Sequence, residues 1–169
     1  MKKLLAISLA CATLMGVTLS AQATDYPIKD KVITIVVPFA AGGPTDRVAR
    51  GLAEAMRKPL GGQAIVIDNV AGAGGSIGAN KVAKAAPDGH TLLLHHIGMA
   101  TSPALYRNLP YKTLEDFEYL GMINDVPMTL VGRPTLPAAN YAELAKWLEA
   151  NKGKVNLANA GLGAASHLC

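Results

Sequence analysis

The stretch VITIVVPFAAGGPTDRVAR, residues 32–50, decides the fold. Its first six residues form a continuous apolar run rich in β-branched side chains, which is typical of a strand covered on both faces of a parallel sheet. Pro38 ends this run, and Pro44 suits the first position of a helix whose apolar residues recur at helical spacing. The two glycines between them let backbone N–H groups face a ligand without an obstructing side chain.

The same unit repeats further along the chain. Residues 64–68 (AIVID) predict a second strand, residues 71–76 (AGAGGS) a second glycine loop, residues 77–86 a second helix and residues 91–94 (TLLL) a third strand. Two successive strand–helix–strand units predict an α/β fold with a doubly wound parallel sheet. Such sheets bind ligands at the carboxyl ends of their strands, where both glycine loops fall.

The pattern changes after Pro103, where prolines become frequent. Residues 117–123 and 128–131 are short apolar runs. We interpret this region as the crossing between two lobes, with the first lobe at residues 24–123 and the beginning of a second lobe at residues 124–169.

A helix is predicted at residues 140–151, because Asn140 suits the N-cap and Glu143 follows three positions later. A strand is predicted at residues 155–158. It leads into a third glycine-bearing loop, NAGLGAAS, at residues 159–166.

The N-terminus has the pattern of a secretory leader. Lys2 and Lys3 precede an apolar run, and cleavage is predicted after Ala23, so we expect residues 1–23 to be removed on export to the periplasm. A lipoprotein based on Cys11 is an alternative that its flanking residues match poorly.

Without the leader the chain has 14 basic and 12 acidic residues, and this excess of positive charge is too small to indicate nucleic-acid binding. No other stretch is long and apolar enough for membrane insertion.

Three glycine loops that each feed a helix predict an anion site. Helix N-termini offer unpaired N–H groups and the positive end of the helix dipole. A carboxylate fits better than a phosphate, since the loops carry no Lys or Arg of the kind that usually accompanies phosphate.

Four motifs together resemble the Bug family, the periplasmic solute-binding receptors of tripartite tricarboxylate transporters. The motifs occur in order over residues 26–168. They are YPIKDKVITIVVPFAAGGPTDRVARGLAEAM (26–56), VAGAGGSIGANKVAKAAPDGHTLL (70–93), LPYKTLEDF (109–117) and NLANAGLGAASHL (156–168).

This resemblance implies a Venus-flytrap receptor in which two α/β lobes close around a small organic acid, such as a dicarboxylate or tricarboxylate, and then meet the membrane subunits of a transporter. It implies no enzymatic activity, no cofactor and no metal. The ligand-binding residues that it implies are Phe39, Ala41, Gly42, Gly43, Thr45, Gly74, Gly75 and Ser76 in the first lobe and Asn159, Ala160, Gly161, Gly163 and Ser166 in the second.

Further polar residues are candidates with a structural alternative. Asp46 is a candidate to orient a ligand amino group or, alternatively, to complement the helix dipole. Thr45 and Ser76 are equally compatible with helix capping. Thr101 and Ser102 follow the third strand and are candidate hydroxyl donors to the ligand.

Enzyme and metal functions are the competing hypotheses. Residues 74–78 formally fit the G-x-S-x-G elbow of a hydrolase, with Ser76 as nucleophile, but five loop residues separate the elbow from its strand. A dinucleotide site is disfavoured because Ile77 occupies the third glycine position of its fingerprint. His95 and His96 are too close in sequence for a helical metal pair.

Members of the Bug family continue well beyond the position of Leu168. We therefore expect a truncated chain with an incomplete second lobe, and a non-functional receptor fragment is the alternative function. The backbone-dominated loops leave the identity of the acid open.

Overall fold

The computed structural model describes residues 26–159 and 164–168. The leader predicted at residues 1–23 lies outside them. In the described ranges, no helix is long and apolar enough to cross a membrane. The elements are β1 (Ile33–Val37), α1 (Pro44–Arg57), β2 (Ile65–Asn69), a 3-10 turn (Ala73–Gly75), α2 (Ser76–Ala83), β3 (Thr91–Leu93), α3 (Gly98–Leu105), α4 (Tyr141–Ala150) and α5 (Ala165–Leu168).

The three strands form a parallel sheet in the order β2-β1-β3. Ile35 is the partner of Ile67 on one side and of Leu92 on the other, so β1 is the central strand. The predicted parallel α/β sheet is confirmed. Because all three strands run in the same direction, the loops that follow them lie side by side at one edge.

Each face of the sheet has its own apolar cluster. On one face Ile33, Ile35 and Val37 are fully buried against Ala49 and Ala53 of α1. This packing explains why β1 reads as a continuous apolar run.

On the opposite face Ala79 of α2 packs with Met99 and Tyr111, and Leu93 joins them from β3. Helices therefore cover both faces, which is the arrangement that strand–helix–strand repeats predict.

The strand predicted at residues 155–158 is wrong, because the structure has no strand there. A strand requires a neighbour for its backbone hydrogen bonds, and within the described residues this segment pairs with none. The apolar runs at residues 117–123 and 128–131 also lack regular secondary structure, and Met122 and Val131 in them are 86% and 85% exposed.

Helix α3 was not predicted from the sequence. It begins at Gly98, contains Pro103 and shows little amphipathic periodicity, so its residue types disfavour a helix. Two hydroxyls of the helix donate hydrogen bonds to the carbonyl of its first residue. The Ser102 Oγ lies 2.6 Å from the Gly98 oxygen, and the Thr101 Oγ1 lies 3.3 Å from it.

The predicted cap of α4 is confirmed. The Asn140 Oδ1 accepts a hydrogen bond from the Glu143 N–H at 3.0 Å, and the Glu143 carboxylate accepts one from the Ala139 N–H at 2.8 Å. This reciprocal arrangement satisfies N–H groups that a helix start leaves unpaired.

Candidate ligand-binding site

Three loops meet at the carboxyl edge of the sheet. We call residues 38–43 the first glycine loop, residues 70–75 the second glycine loop and residues 95–97 the histidine loop. The Asn69 Nδ2, at the end of β2, donates to the Phe39 carbonyl at 3.1 Å and so ties the first glycine loop to the strand that leads into the second. The structure therefore brings together the first-lobe residues that the sequence indicates.

Asp46 is buried at the start of α1 and fixes the first glycine loop through a hydrogen bond. Its side chain is 2% exposed, and its Oδ2 accepts hydrogen bonds from the Gly42 N–H at 2.8 Å and the Arg50 Nε at 2.9 Å. The Arg50 hydrogen bond, followed by the Gly42 N–H, lowers the pKa of Asp46 from 3.8 to about 2. The carboxylate is thus ionised and engaged in positioning the loop, and a direct ligand contact by Asp46 stays a prediction.

The amides of the first glycine loop divide into engaged and free groups. The Gly42 N–H is donated to Asp46, and the Gly43 N–H is donated to the Ala40 carbonyl at 3.3 Å. Within the described residues, the N–H groups of Phe39, Ala40 and Ala41 donate no hydrogen bond, and Ala40 and Ala41 are exposed. The amides of Ala40 and Ala41 are therefore available to an anion.

The second glycine loop needs glycine at position 75. Gly75 has a φ of +101°, and a Cβ there would lie 2.7 Å from the His95 Nε2 and 3.2 Å from the Phe39 ring. Its N–H closes the loop by donating to the Gly72 carbonyl at 2.9 Å. Gly75 is thus the point at which all three loops touch.

The helices α1 and α2 point uncapped N-termini towards these loops. Their N-cap residues are Gly43 and Gly75, and neither helix has a side-chain cap. The capping alternative for Thr45 and Ser76 is therefore wrong, since both lie inside the first turn. In the described part of the chain neither hydroxyl makes a hydrogen bond, so both remain available to a ligand together with the positive ends of two helix dipoles.

A cluster of three rings forms the floor between the loops. The rings of Phe39 and His96 stack at a centroid distance of 4.3 Å and an angle of 19°, and His95 meets Phe39 edge-on at 5.4 Å. From the sequence, the two histidines are candidates only for a metal pair, which their spacing disfavours. Their place directly after the apolar third strand, where a further ligand loop begins, is the signal that points to a role of the rings in the site.

Both histidines are neutral at pH 7. Burial lowers the pKa of His95 from 6.5 to about 4, and burial also lowers the pKa of His96. The His95 Nε2 is sealed from solvent and makes no hydrogen bond to any described residue. The described ranges contain no group of three or more His, Cys, Asp or Glu side chains placed to hold a metal.

The remaining candidates lie further along the chain. The Thr101 hydroxyl is directed at the Gly98 carbonyl of its own helix. Asn159 ends the first described range and Ser166 lies in α5, so their contact with a ligand stays a prediction. Ala160, Gly161 and Gly163 lie outside the described residues.

The fold defines the class of protein. The structure of the periplasmic binding protein BugD matches with a TM-score of 0.80 and 51% identity over 84% of this chain and 47% of that chain. MatC from Rhodopseudomonas palustris, solved with bound malate, matches with a TM-score of 0.76 and 41% identity over 82% of this chain and 47% of that chain. The chain therefore has the fold of a periplasmic solute-binding protein.

The family follows from a direct match. The model of the TctC family, described as the tripartite tricarboxylate transporter family receptor, matches residues 48–169. The chain belongs to this family, and its resemblance to the Bug proteins is confirmed. A UPF0065 protein of Agrobacterium vitis is 53% identical over 150 residues, which are 88% of this chain and 42% of the relative. The chain thus spans about half the length of its relatives.

Since the family comprises solute receptors, the hydrolase and dinucleotide-enzyme hypotheses are set aside.

Proposed function

We propose that this chain provides the first lobe of a receptor that captures a small organic acid by its carboxylates. The observation that carries the proposal is the convergence of two uncapped helix N-termini on the ring cluster. The free donors there include the N–H groups of Ala40 and Ala41 and the hydroxyls of Thr45 and Ser76. A carboxylate accepts several such hydrogen bonds at once, and those to a charged acceptor contribute about 1.5 to 3 kcal/mol each.

The chemistry of the loops favours a carboxylate over a phosphate. The three loops contain no Lys or Arg. On α1, Arg50 is paired with Asp46, and the Arg47 Nε donates to the Gly42 carbonyl at 3.1 Å, so both cations are already engaged. Recognition by N–H and O–H groups also agrees with the malate found in the relative MatC. We extend that ligand class, small dicarboxylates and tricarboxylates, to this chain as part of the proposal.

Calorimetric titration of the purified chain with malate tests the proposal. We expect saturable binding, and we expect the neutral dimethyl ester of malate not to bind, because it has the same skeleton without the carboxylate charges. A chain that is folded by circular dichroism and takes up neither compound would contradict the proposed function.

We further propose that the receptor is exported and delivers its acid to the membrane subunits of a tripartite tricarboxylate transporter. The family membership supports this partnership. N-terminal sequencing of the exported protein tests the export, and we expect Thr24 as its first residue.

Cross-linking to co-expressed membrane subunits tests the transporter partnership. We expect malate to increase the yield of cross-linked product, and an absence of cross-links with and without malate would contradict the partnership.

A further inference from the structure

His96 has a defined tautomer. Its Nδ1 accepts a hydrogen bond from the Gly98 N–H at 2.9 Å. Because a backbone N–H can only donate, Nδ1 must carry the lone pair, and a neutral imidazole then carries its proton on Nε2. Gly98 is fitted to this arrangement, since a Cβ there would lie 2.7 Å from the His96 Cε1.

The ring is also fixed in place. It stacks on Phe39 of the first glycine loop, and burial lowers its pKa below the ordinary 6.5, so the neutral ring predominates at pH 7. Among the described residues, the Nε2–H of His96 has no hydrogen-bond acceptor, and unlike the His95 Nε2 it is not sealed from solvent. His96 therefore presents one oriented and unused donor beside the glycine loops.

A cavity of about 430 Å³ begins at this ring. Its walls are mostly apolar and come from α3 and from residues 113–119, and none of its lining residues is an acid, a lysine or an arginine. The cavity has room for the body of a small acid, and His96 both lines it and stacks on Phe39 of the first glycine loop.

We propose that His96 is a specificity-determining ligand contact, whose Nε2–H donates to an oxygen of the acid that occupies the glycine loops. The inference rests on the proposed function and adds to it a preference for the chemical group of the ligand that faces His96. A neutral N–H donates a hydrogen bond to a carboxylate or hydroxyl oxygen and disfavours an ammonium group at the same position. The favoured ligands are therefore acids that place an oxygen, not an amino group, against His96.

Two substitutions of His96 separate the donor from the ring. His96→Asn keeps an acceptor near the Nδ1 position for the Gly98 N–H but lacks the distal donor, whereas His96→Gln places an amide N–H near the Nε2 position. We expect His96→Asn to weaken malate binding roughly tenfold or more, and His96→Gln to recover most of the affinity. Equal affinities of the two variants for malate, whether lowered or unchanged, would overturn the assignment of the His96 Nε2–H as a ligand donor.

His90→Gln, at the opposite edge of the sheet, is the matched control and should bind malate as the unmodified chain does.

Nitrogen NMR of the histidine rings in the unmodified chain tests the same inference without a variant that must fold. We expect a protonated Nε2 and an unprotonated Nδ1 at His96, and a shift of the Nε2–H signal on addition of malate. The opposite tautomer would overturn the inference. Malate-dependent shifts at the Thr45 and Ser76 amides without a change at His96 would also overturn it but leave the proposed function standing. No shift at either place would contradict the proposed function itself.

Discussion

The carboxylate of Asp46 accepts a hydrogen bond from the N–H of Gly42 four residues before it, at 2.8 Å, from a position buried at the start of α1. The shape of the first glycine loop is thus set from inside the molecule. Arg50 neutralises the carboxylate from the solvent side, where its own side chain is 57% exposed.

Removal of the Asp46 carboxylate should therefore destabilise the fold. In Asp46→Ala the Gly42 N–H loses its acceptor and Arg50 its partner, so we expect a clear decrease in the urea concentration at the midpoint of unfolding. Arg50→Gln should cause a smaller decrease, because the exposed half of an ion pair contributes little. Equal effects of the two substitutions would show that the buried hydrogen bond does not position the loop.

A methyl group at position 75 should disrupt the site. Gly75→Ala places a Cβ 2.7 Å from the His95 Nε2 at a φ of +101°, and we expect a loss of about 1 to 3 kcal/mol in unfolding free energy together with loss of malate binding. Gly51→Ala is the matched control, because that Cβ meets no atom within 4 Å and lies inside α1. It should stabilise the chain by about 0.5 to 1 kcal/mol. An unchanged stability of Gly75→Ala would refute the close approach of the three loops.

The buried His95 makes stability depend on pH. Its pKa is lowered from 6.5 to about 4, so between these values the unfolded chain binds more protons than the folded chain. Stability should then fall as the pH decreases from about 6.5 to 4, by on the order of 3 kcal/mol. His96, whose pKa is also lowered, acts in the same direction.

A second acidic transition should be separate from the first. Asp46 and Asp88 have pKa values of about 2 in the folded chain, against 3.8 ordinarily, so their contribution is lost only as the pH falls from about 3.8 to 2. Urea unfolding measured across pH 2 to 7 checks both windows. In His95→Leu the slope between pH 4 and 6.5 should flatten while the lower transition persists; an unchanged upper slope would contradict the burial of His95.

The cap of α4 offers a test away from the site. Asn140→Ala removes the acceptor for the Glu143 N–H and should reduce the stability of that helix by about 1 kcal/mol. Amide hydrogen exchange of residues 141–150 checks this, with faster exchange expected there and no change in β1. Unchanged exchange in α4 would mean that the cap contributes nothing.

The sequence predicts the parallel sheet and the helices α1 and α2 well because their signals are local. The apolar run before Pro38, the proline at position 44 and the glycine pairs each specify their own conformation, and the parallel sheet follows from their alternation. The strand predicted at residues 155–158 is absent for the opposite reason. A strand exists only with a neighbouring strand to pair with, and the presence of that neighbour depends on the whole fold.

The sequence indicates the backbone loops of the candidate site but not the packing of its aromatic rings. Glycine spacing indicates where N–H groups converge, so the two glycine loops could be found from the sequence. The stacking of His96 on Phe39 and the tautomer set by Gly98 depend on distances that no sequence spacing encodes. The inward position of Asp46 was likewise hidden, since an acid in the first helical turn is usually explained by the dipole alone.

The most direct test of the central claim is an NMR titration of the isotopically labelled chain with malate, in which every backbone amide reports separately. We predict saturable shifts at the amides of Ala41, Thr45, Gly74 and Ser76, and no such shifts with dimethyl malate. Shifts spread evenly over the surface, or none at these four amides in a folded chain, would contradict the account of the glycine loops as a carboxylate site.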